Sequence, residues 1–127
     1  MQHKISYDAC NDVLRESFIG SFTADDVQEY LNLMAEVYSS CNHAHVLVDL
    51  SQAREPFLDE ETRQQLVEGS GKHRYFDERV AFIGAEPRIK ELMIEYVEGL
   101  RYMGKQLKIK FFKTEEEALA WLKEQAG

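Results

Sequence analysis

Six residues in this chain have the types and the spacing to build a site. Asp49 and Ser51 end an apolar run in the stretch HVLVDLSQAREPFLDEETRQQLV, His45 to Val67. Asp59, Glu60 and Glu61 open the segment that follows, and Gly84 ends a second apolar run. An aspartate and a serine two positions apart can bond local backbone N–H groups and shape a turn, or they can face a ligand or partner. Three carboxylates in a first helical turn meet the positive end of the helix, an effect worth roughly 0.3–1 kcal/mol each. The pattern favours turn shaping and helix stabilisation over acid–base chemistry.

Other clusters are weaker. His43 and His45 lie on one side of a strand entry, but no carboxylate or cysteine completes a spaced ligand set, so no metal is expected. Lys72, His73 and Arg74 form a small cationic island, read as a solvated turn rather than an anion site. Gly84-Ala85-Glu86-Pro87 brings a helix start to the same sheet edge, and helix starts attract anions, yet Glu86 adds the wrong charge and no phosphate loop is present. No nucleophile stands in a Ser/His/Asp or Cys/His context. No cofactor and no enzymatic activity are expected; an enzyme of unrecognised chemistry is the third and weakest reading.

The bulk numbers limit the function classes. With 127 residues the chain has the size of one domain and can bury on the order of two thirds of its unfolded surface. A formal net charge of −8 argues against binding to nucleic-acid backbone or anionic lipid headgroups. No run of about eighteen apolar residues and no leader-like amino terminus appear, so a cytoplasmic protein without a transmembrane segment is expected. Cys10 and Cys41 are then read as reduced thiols.

These residues need elements to hold them. The segments 3–8 and 12–19 read as a hairpin of two strands around Ala9-Cys10-Asn11. Thr23 and Asp26 resemble a capping box, followed by Val27, Tyr30, Leu31, Met34, Val37 and Tyr38 at helical spacing. Val46, Leu47, Val48 and Leu50 are apolar on successive sides, as are Val80 to Ile83, which marks interior strands covered on both faces. Between them, 59–67 reads as a helix stopped by Gly69-Ser70-Gly71, with a short return segment over 72–76. Pro87 suits a first helical position, and Ile89, Leu92, Met93, Tyr96, Val97, Leu100 and Met103 form the longest amphipathic pattern, ended by Gly104. Leu107, Ile109 and Phe111 alternate with Lys108, Lys110 and Phe112, as in an edge strand. Thr114 and Glu117 cap a last helix carrying Ala118, Leu119, Trp121 and Leu122. The order is ββαβαβαβα, an α/β chain with four main helices, whose last four strands should be parallel with right-handed crossovers.

"VLVDLS", "FLDEE", "ERVAFIGAEP" and "FFKTEEEALAWLKE", in that order, resemble the STAS (sulphate transporter and anti-sigma factor antagonist) domain, in its SpoIIAA-like branch, which is grouped with lipid-binding CRAL-TRIO-type domains. The resemblance implies a single domain over 1–127, with a five-stranded sheet in the order 1-2-3-4-5, the first strand antiparallel, and helices mainly along one face. It also implies a non-catalytic regulatory role with a protein partner such as an anti-sigma-like regulator. In that family the strand ending in Asp-Leu-Ser leads to Phe-x-Asp-Ser-Ser-Gly, where a serine is phosphorylated. Asp49, Ser51 and Asp59 match family positions, whereas Glu60 and Glu61 stand where the serines would be, so no phosphorylation switch is expected there. The partner surface is expected along the Ser51 to Pro56 loop, the start of the Asp59 helix and the Gly84 turn. The alternative is a small carrier or sensor of an apolar or lipid-like ligand. Sequential strand order puts the crossover helices on one side, while the interior strands are apolar on both, so a homodimer or a bound apolar ligand is expected over the second face.

Overall fold

The computed structural model describes residues 1–41, 44–74 and 77–124. They form β1 (Lys4–Asp8), β2 (Val13–Ser17), α1 (Ala24–Ser39), β3 (His45–Asp49), α2 (Glu60–Gly71), β4 (Arg79–Ile83), α3 (Pro87–Tyr102), β5 (Lys108–Phe112) and α4 (Glu115–Lys123). The strands make one sheet in the order β1-β2-β3-β4-β5, with β1 antiparallel to β2 and every later pair parallel. The expected order ββαβαβαβα and the SpoIIAA-like arrangement are both present. Local chemistry starts the helices where expected. The Thr23 N–H donates to Asp26 Oδ2 at 2.9 Å, Asp59 Oδ1 accepts the Thr62 N–H at 2.7 Å, and Thr114 Oγ1 accepts the Glu117 N–H at 3.3 Å. Pro87 occupies the first turn of α3, where its missing N–H costs nothing.

Register sorts the side chains by face. Leu14 and Glu16 of β2 lie beside Val46 and Val48 of β3, which lie beside Val80 and Phe82 of β4 and then Ile109 and Phe111 of β5. This row packs against α1, α2 and α3 in the larger core, with Tyr30, Met34, Val97 and Leu100 among its buried members. Leu92 is also buried, at 7% exposure. A monotonic strand order with right-handed crossovers leaves these three helices no other side.

The expectation of a dimer or ligand over the opposite face loses its ground here, because α4 covers that face. Val13, Leu47, Ala81 and Ile83 are buried there beneath Ala118 and Leu122, with Phe112 and Trp121 at the margin. As the last element, α4 is not a crossover, so the handedness rule does not bind it. Arg15 Nη1 holds Glu115 at its start, and Arg79 Nη1 donates to the Trp121 and Glu124 carbonyls, each at 2.9 Å, at its end. A cation near the last carbonyls also suits the helix dipole.

A second correction concerns Gly69-Ser70-Gly71, which does not stop α2 but is its last turn. The small residues serve close packing. A Cβ on Gly69 would lie 2.6 Å from Leu31 Cδ1 of α1, and Ser70 is fully buried. The expected return segment over 72–76 is a turn at Lys72 to Arg74. Its remaining residues, Tyr75 and Phe76, lie outside the described residues.

Candidate functional site

The carboxyl ends of β3 and β4 bring three of the six candidates together. Asp49 Oδ1 accepts from the Ser51 N–H at 2.9 Å and from the Ser51 hydroxyl at 2.6 Å, the turn-shaping arrangement that the spacing favoured. Gly84 packs directly on this turn with φ of +72°, and a Cβ on it would lie 2.8 Å from Ser51 Cβ and 2.9 Å from Ser51 Cα. Only glycine meets both demands cheaply. Ser51 then borders a shallow hollow with Arg54, Glu55 and Glu86.

The other three candidates sit apart from that turn. Between Ser51 and Asp59 the loop runs alongside residues 20–23, through Gly20 N–H to Gln52 O at 2.9 Å, Arg54 N–H to Gly20 O at 3.0 Å and Phe57 N–H to Phe22 O at 3.0 Å. Asp59 caps α2, and its carboxyl lies below the usual aspartate range because it accepts from Thr62. Glu60 and Glu61 are exposed in the first turn and line an acidic hollow with Gln64 and Glu68. Phe57, two residues before the cap, is 74% exposed. The candidates thus form two neighbouring stations on one loop rather than one pocket.

The most concentrated chemistry lies inside, at residues outside the six candidates. Arg74, read as part of a wetted cationic island, is 5% exposed. Its Nε donates to the Tyr96 hydroxyl at 3.0 Å, and its Nη1 donates to the Tyr38 hydroxyl at 3.0 Å and to Glu78 Oε1 at 2.5 Å. Glu16, on the inward row of β2, accepts from the Tyr30 hydroxyl at 2.5 Å and the Tyr38 hydroxyl at 2.9 Å, and Arg74 Nη2 stands 3.6 Å away. Tyr96 donates onward to Ser70 Oγ at 2.7 Å. Burial works against the Arg74 charge, but its tyrosine and glutamate neighbours outweigh it and hold the guanidinium protonated. Burial pushes the Tyr30 and Tyr38 hydroxyls well above the usual tyrosine range, and Glu16 adds to both shifts. Every buried polar side-chain atom among the described residues has a partner, as a buried charged cluster requires.

Above this cluster lies a cavity of about 90 Å³. Phe18, Val48 and Phe82 of the sheet side and Leu66, Ile89 and Met93 of the helices make its apolar walls, with Glu16, Arg74, Tyr30 and Tyr96 at the polar end. It reaches the surface beneath the loop carrying Ala53, Arg54, Pro56 and Leu58. Leaving such a volume empty costs on the order of 2 kcal/mol, at about 24 cal/mol per Å³. A signal for part of this was present: Leu14, Glu16 and Phe18 alternate, so a strand that buries its leucine must also bury its glutamate.

Of the histidines considered as ligands, His43 lies outside the described residues, and His45 Nδ1 accepts the Arg79 N–H at 2.9 Å. No group of three or more metal-ligating side chains gathers among the described residues. No helix among them is long and apolar enough to cross a membrane. Cys10 lies exposed in the hairpin turn, and the Cys41 thiol donates to Val37 O at 3.5 Å.

Comparison with known proteins adds a family to this geometry. The SpoIIAA-like family model matches residues 13–123. No curated protein matches the chain. Among solved structures, an uncharacterized protein with a SpoIIAA-like fold from Shewanella loihica PV-4 is similar at 20% identity and a TM-score of 0.63, over 94% of this chain and 91% of that one. The anti-sigma factor antagonist SpoIIAA in its unphosphorylated form is similar at 10% identity and a TM-score of 0.58, over 97% and 99%. The phosphorylated form of the Bacillus cell fate determinant SpoIIAA is similar at 10% identity and a TM-score of 0.53, over 95% and 99%. At these identities the likeness is one of fold.

Proposed function

Because the chain belongs to the SpoIIAA-like family, we propose that it is a non-catalytic regulatory module that binds a protein partner along the carboxyl edge of its sheet. The observation that carries this reading is Phe57. It is 74% exposed, yet its backbone is bonded to Phe22, and it stands next to the carboxyls of Asp59, Glu60 and Glu61. An apolar anchor beside carboxyls suits a partner offering an apolar pocket with a cationic rim. The turn built by Asp49, Ser51 and Gly84 holds the start of the same loop. Partner choice follows the anchor and the carboxyls, with no phosphate switch, since Glu60 and Glu61 stand in place of the family's serines.

The test is affinity capture from the native lysate, then titration with the purified partner. Wild type should retain one partner stoichiometrically, and Phe57→Asp should lose it at least tenfold while staying folded. Glu60→Lys/Glu61→Lys should weaken it and flatten its salt dependence. Capture that survives all three substitutions, or phosphate mapped to α2, for instance at Thr62, would overturn this reading.

A further inference from the structure

We propose that the open edge of β5 is a docking site for an extended acidic segment of a partner protein, one that joins the sheet as a further strand and alternates carboxylates with apolar side chains. This edge is separate from the Phe57 surface and does not depend on the reading made there. β5 ends the sheet, with β4 as its only neighbouring strand. The Lys108 N–H donates to Glu78 O at 3.2 Å, Phe112 O accepts the Gly84 N–H at 3.3 Å, and Lys110 is in register with Ala81. Residues 108, 110 and 112 thus direct their backbone groups to β4, and by strand alternation Ile109 and Phe111 turn theirs outward. Among the described residues nothing bonds those outward groups. Only Leu107 O, at the start of this edge, is capped, by Arg101 Nε at 3.2 Å and Nη2 at 2.9 Å.

Charge decides the occupant. Lys105, Lys108, Lys110 and Lys113 fall between Gly104 and Thr114 with no acid among them, in a chain whose net charge is −8. Lys108 and Lys110 are exposed on the α4 face of the edge, and Lys90 of α3 is exposed on the other face, with Nζ 4.9 Å from the Phe111 ring centre. None of these three makes an ion pair among the described residues, whereas Arg15, Arg74, Arg88 and Arg101 each hold a carboxylate. Lysines on an edge guard it against other cationic strands, and a second copy of β5 would set lysine against lysine. The same charges select an acidic strand. A bilayer or a nucleic acid would present its negative charge to a whole face of this acidic chain and would leave the outward Ile109 and Phe111 amides without a matching strand. On the helix face Ile109 and Phe111 are half-buried, so apolar residues of the added strand would complete their cover beside the Lys90 stem. The opposite edge lacks this pattern, since β1 carries Lys4 and Asp8 together and Asp8 is held by Arg15 at 2.8 Å.

Short peptides of equal length that alternate Val with Glu, Gln or Lys test strand and charge separately, titrated against the full chain by fluorescence anisotropy and followed by amide hydrogen exchange. In the free chain the Ile109 and Phe111 amides should exchange fast and those of Lys110 and Phe112 slowly. The Glu peptide at saturation should slow the first two at least tenfold. It should bind roughly three- to tenfold tighter than the Gln peptide, the size of two exposed ion pairs, with the Lys peptide weakest. Lys108→Glu/Lys110→Glu, two exposed substitutions, should reverse the order of the Glu and Lys peptides. Methylating the Glu peptide's backbone amides either at every Val or at every Glu gives two isomers, of which one should lose binding and the other keep it, because only one set faces β5. Ile109 and Phe111 amides already protected in the free chain would overturn the proposal, as would the absence of saturable binding by the Glu peptide. So would equal binding by the two methylated isomers, a peptide order that Lys108→Glu/Lys110→Glu leaves in place, or protection given by phosphatidylserine vesicles and not by the peptide. The methylated pair needs no change in the protein, so it decides even if the lysine variant fails to fold.

Discussion

Arg74 Nη2 stands 3.6 Å from Glu16 Oε2 in the protein interior, joining a turn after α2 to the middle of β2. With Glu78 and three tyrosines it ties four elements to one charge. Removing the guanidinium alone takes the buried cation away from the Glu16 and Glu78 carboxyls, so Arg74→Met should cost about 3–5 kcal/mol, as breaking a buried pair does. Arg74→Met/Glu16→Gln/Glu78→Gln should recover a substantial part of that loss. Urea denaturation of the single and triple variants checks both, and equal losses would mean that Arg74 acts by packing alone.

The same cluster sets an alkaline limit. Burial first, and Glu16 in addition, raise the Tyr30 and Tyr38 hydroxyls above their unfolded value near 10. A raised folded value means that the unfolded chain releases these protons first. The stability linked to them is therefore fully present below about pH 10 and is lost as pH rises toward the folded values. The urea midpoint should be flat from pH 7 to about 9.5 and then fall, and Tyr30→Phe/Tyr38→Phe should reduce the slope of that fall.

Much of the architecture was legible because it follows from local rules. Val46 to Leu50 and Val80 to Ile83 declare interior strands, and Thr23, Pro87 and Thr114 mark helix starts that the structure keeps. The Asp49 and Ser51 turn was legible too, since its bonds span two residues. What was hidden depends on contacts distant in sequence. Arg74 follows Lys72 and His73 and reads as wet, and partners distant in sequence, on β2, α1 and α3, hold it inside. Gly69 reads as a stop because glycine often ends helices, whereas here the missing Cβ admits Leu31 from α1. The cavity has no sequence signature, being a gap between walls contributed by the sheet, three helices and a loop.

Gly84 offers a local test of the carboxyl edge. Its φ of +72° and the 2.8 Å and 2.9 Å approaches to Ser51 leave no room for a side chain without moving backbone. Gly84→Ala should cost at least about 1–2 kcal/mol from conformation alone, with the clash added to it. Amide chemical shifts should move at residues 49–56 more than elsewhere. Full stability in this variant would show that the turn yields freely and cannot serve as a rigid support for the loop.

The last prediction concerns α4, the element that keeps the second face of the sheet covered. Leu122 is 4% exposed against Val13, Leu47, Ala81 and Ile83, and Arg79 adds a stacking contact 5.4 Å from the Trp121 ring centre. Leu122→Ala should therefore cost about 2–5 kcal/mol, as buried leucine truncations do. Deleting the chain from Glu115 onward should do something different in kind. The four apolar side chains beneath α4 would become a contiguous exposed patch, which soluble proteins rarely tolerate without association. The shortened chain should bind a hydrophobic dye and sediment at a higher mass than the full chain at equal concentration. A shortened chain that keeps the full chain's association state and binds no dye would mean that the sheet buries this face without α4.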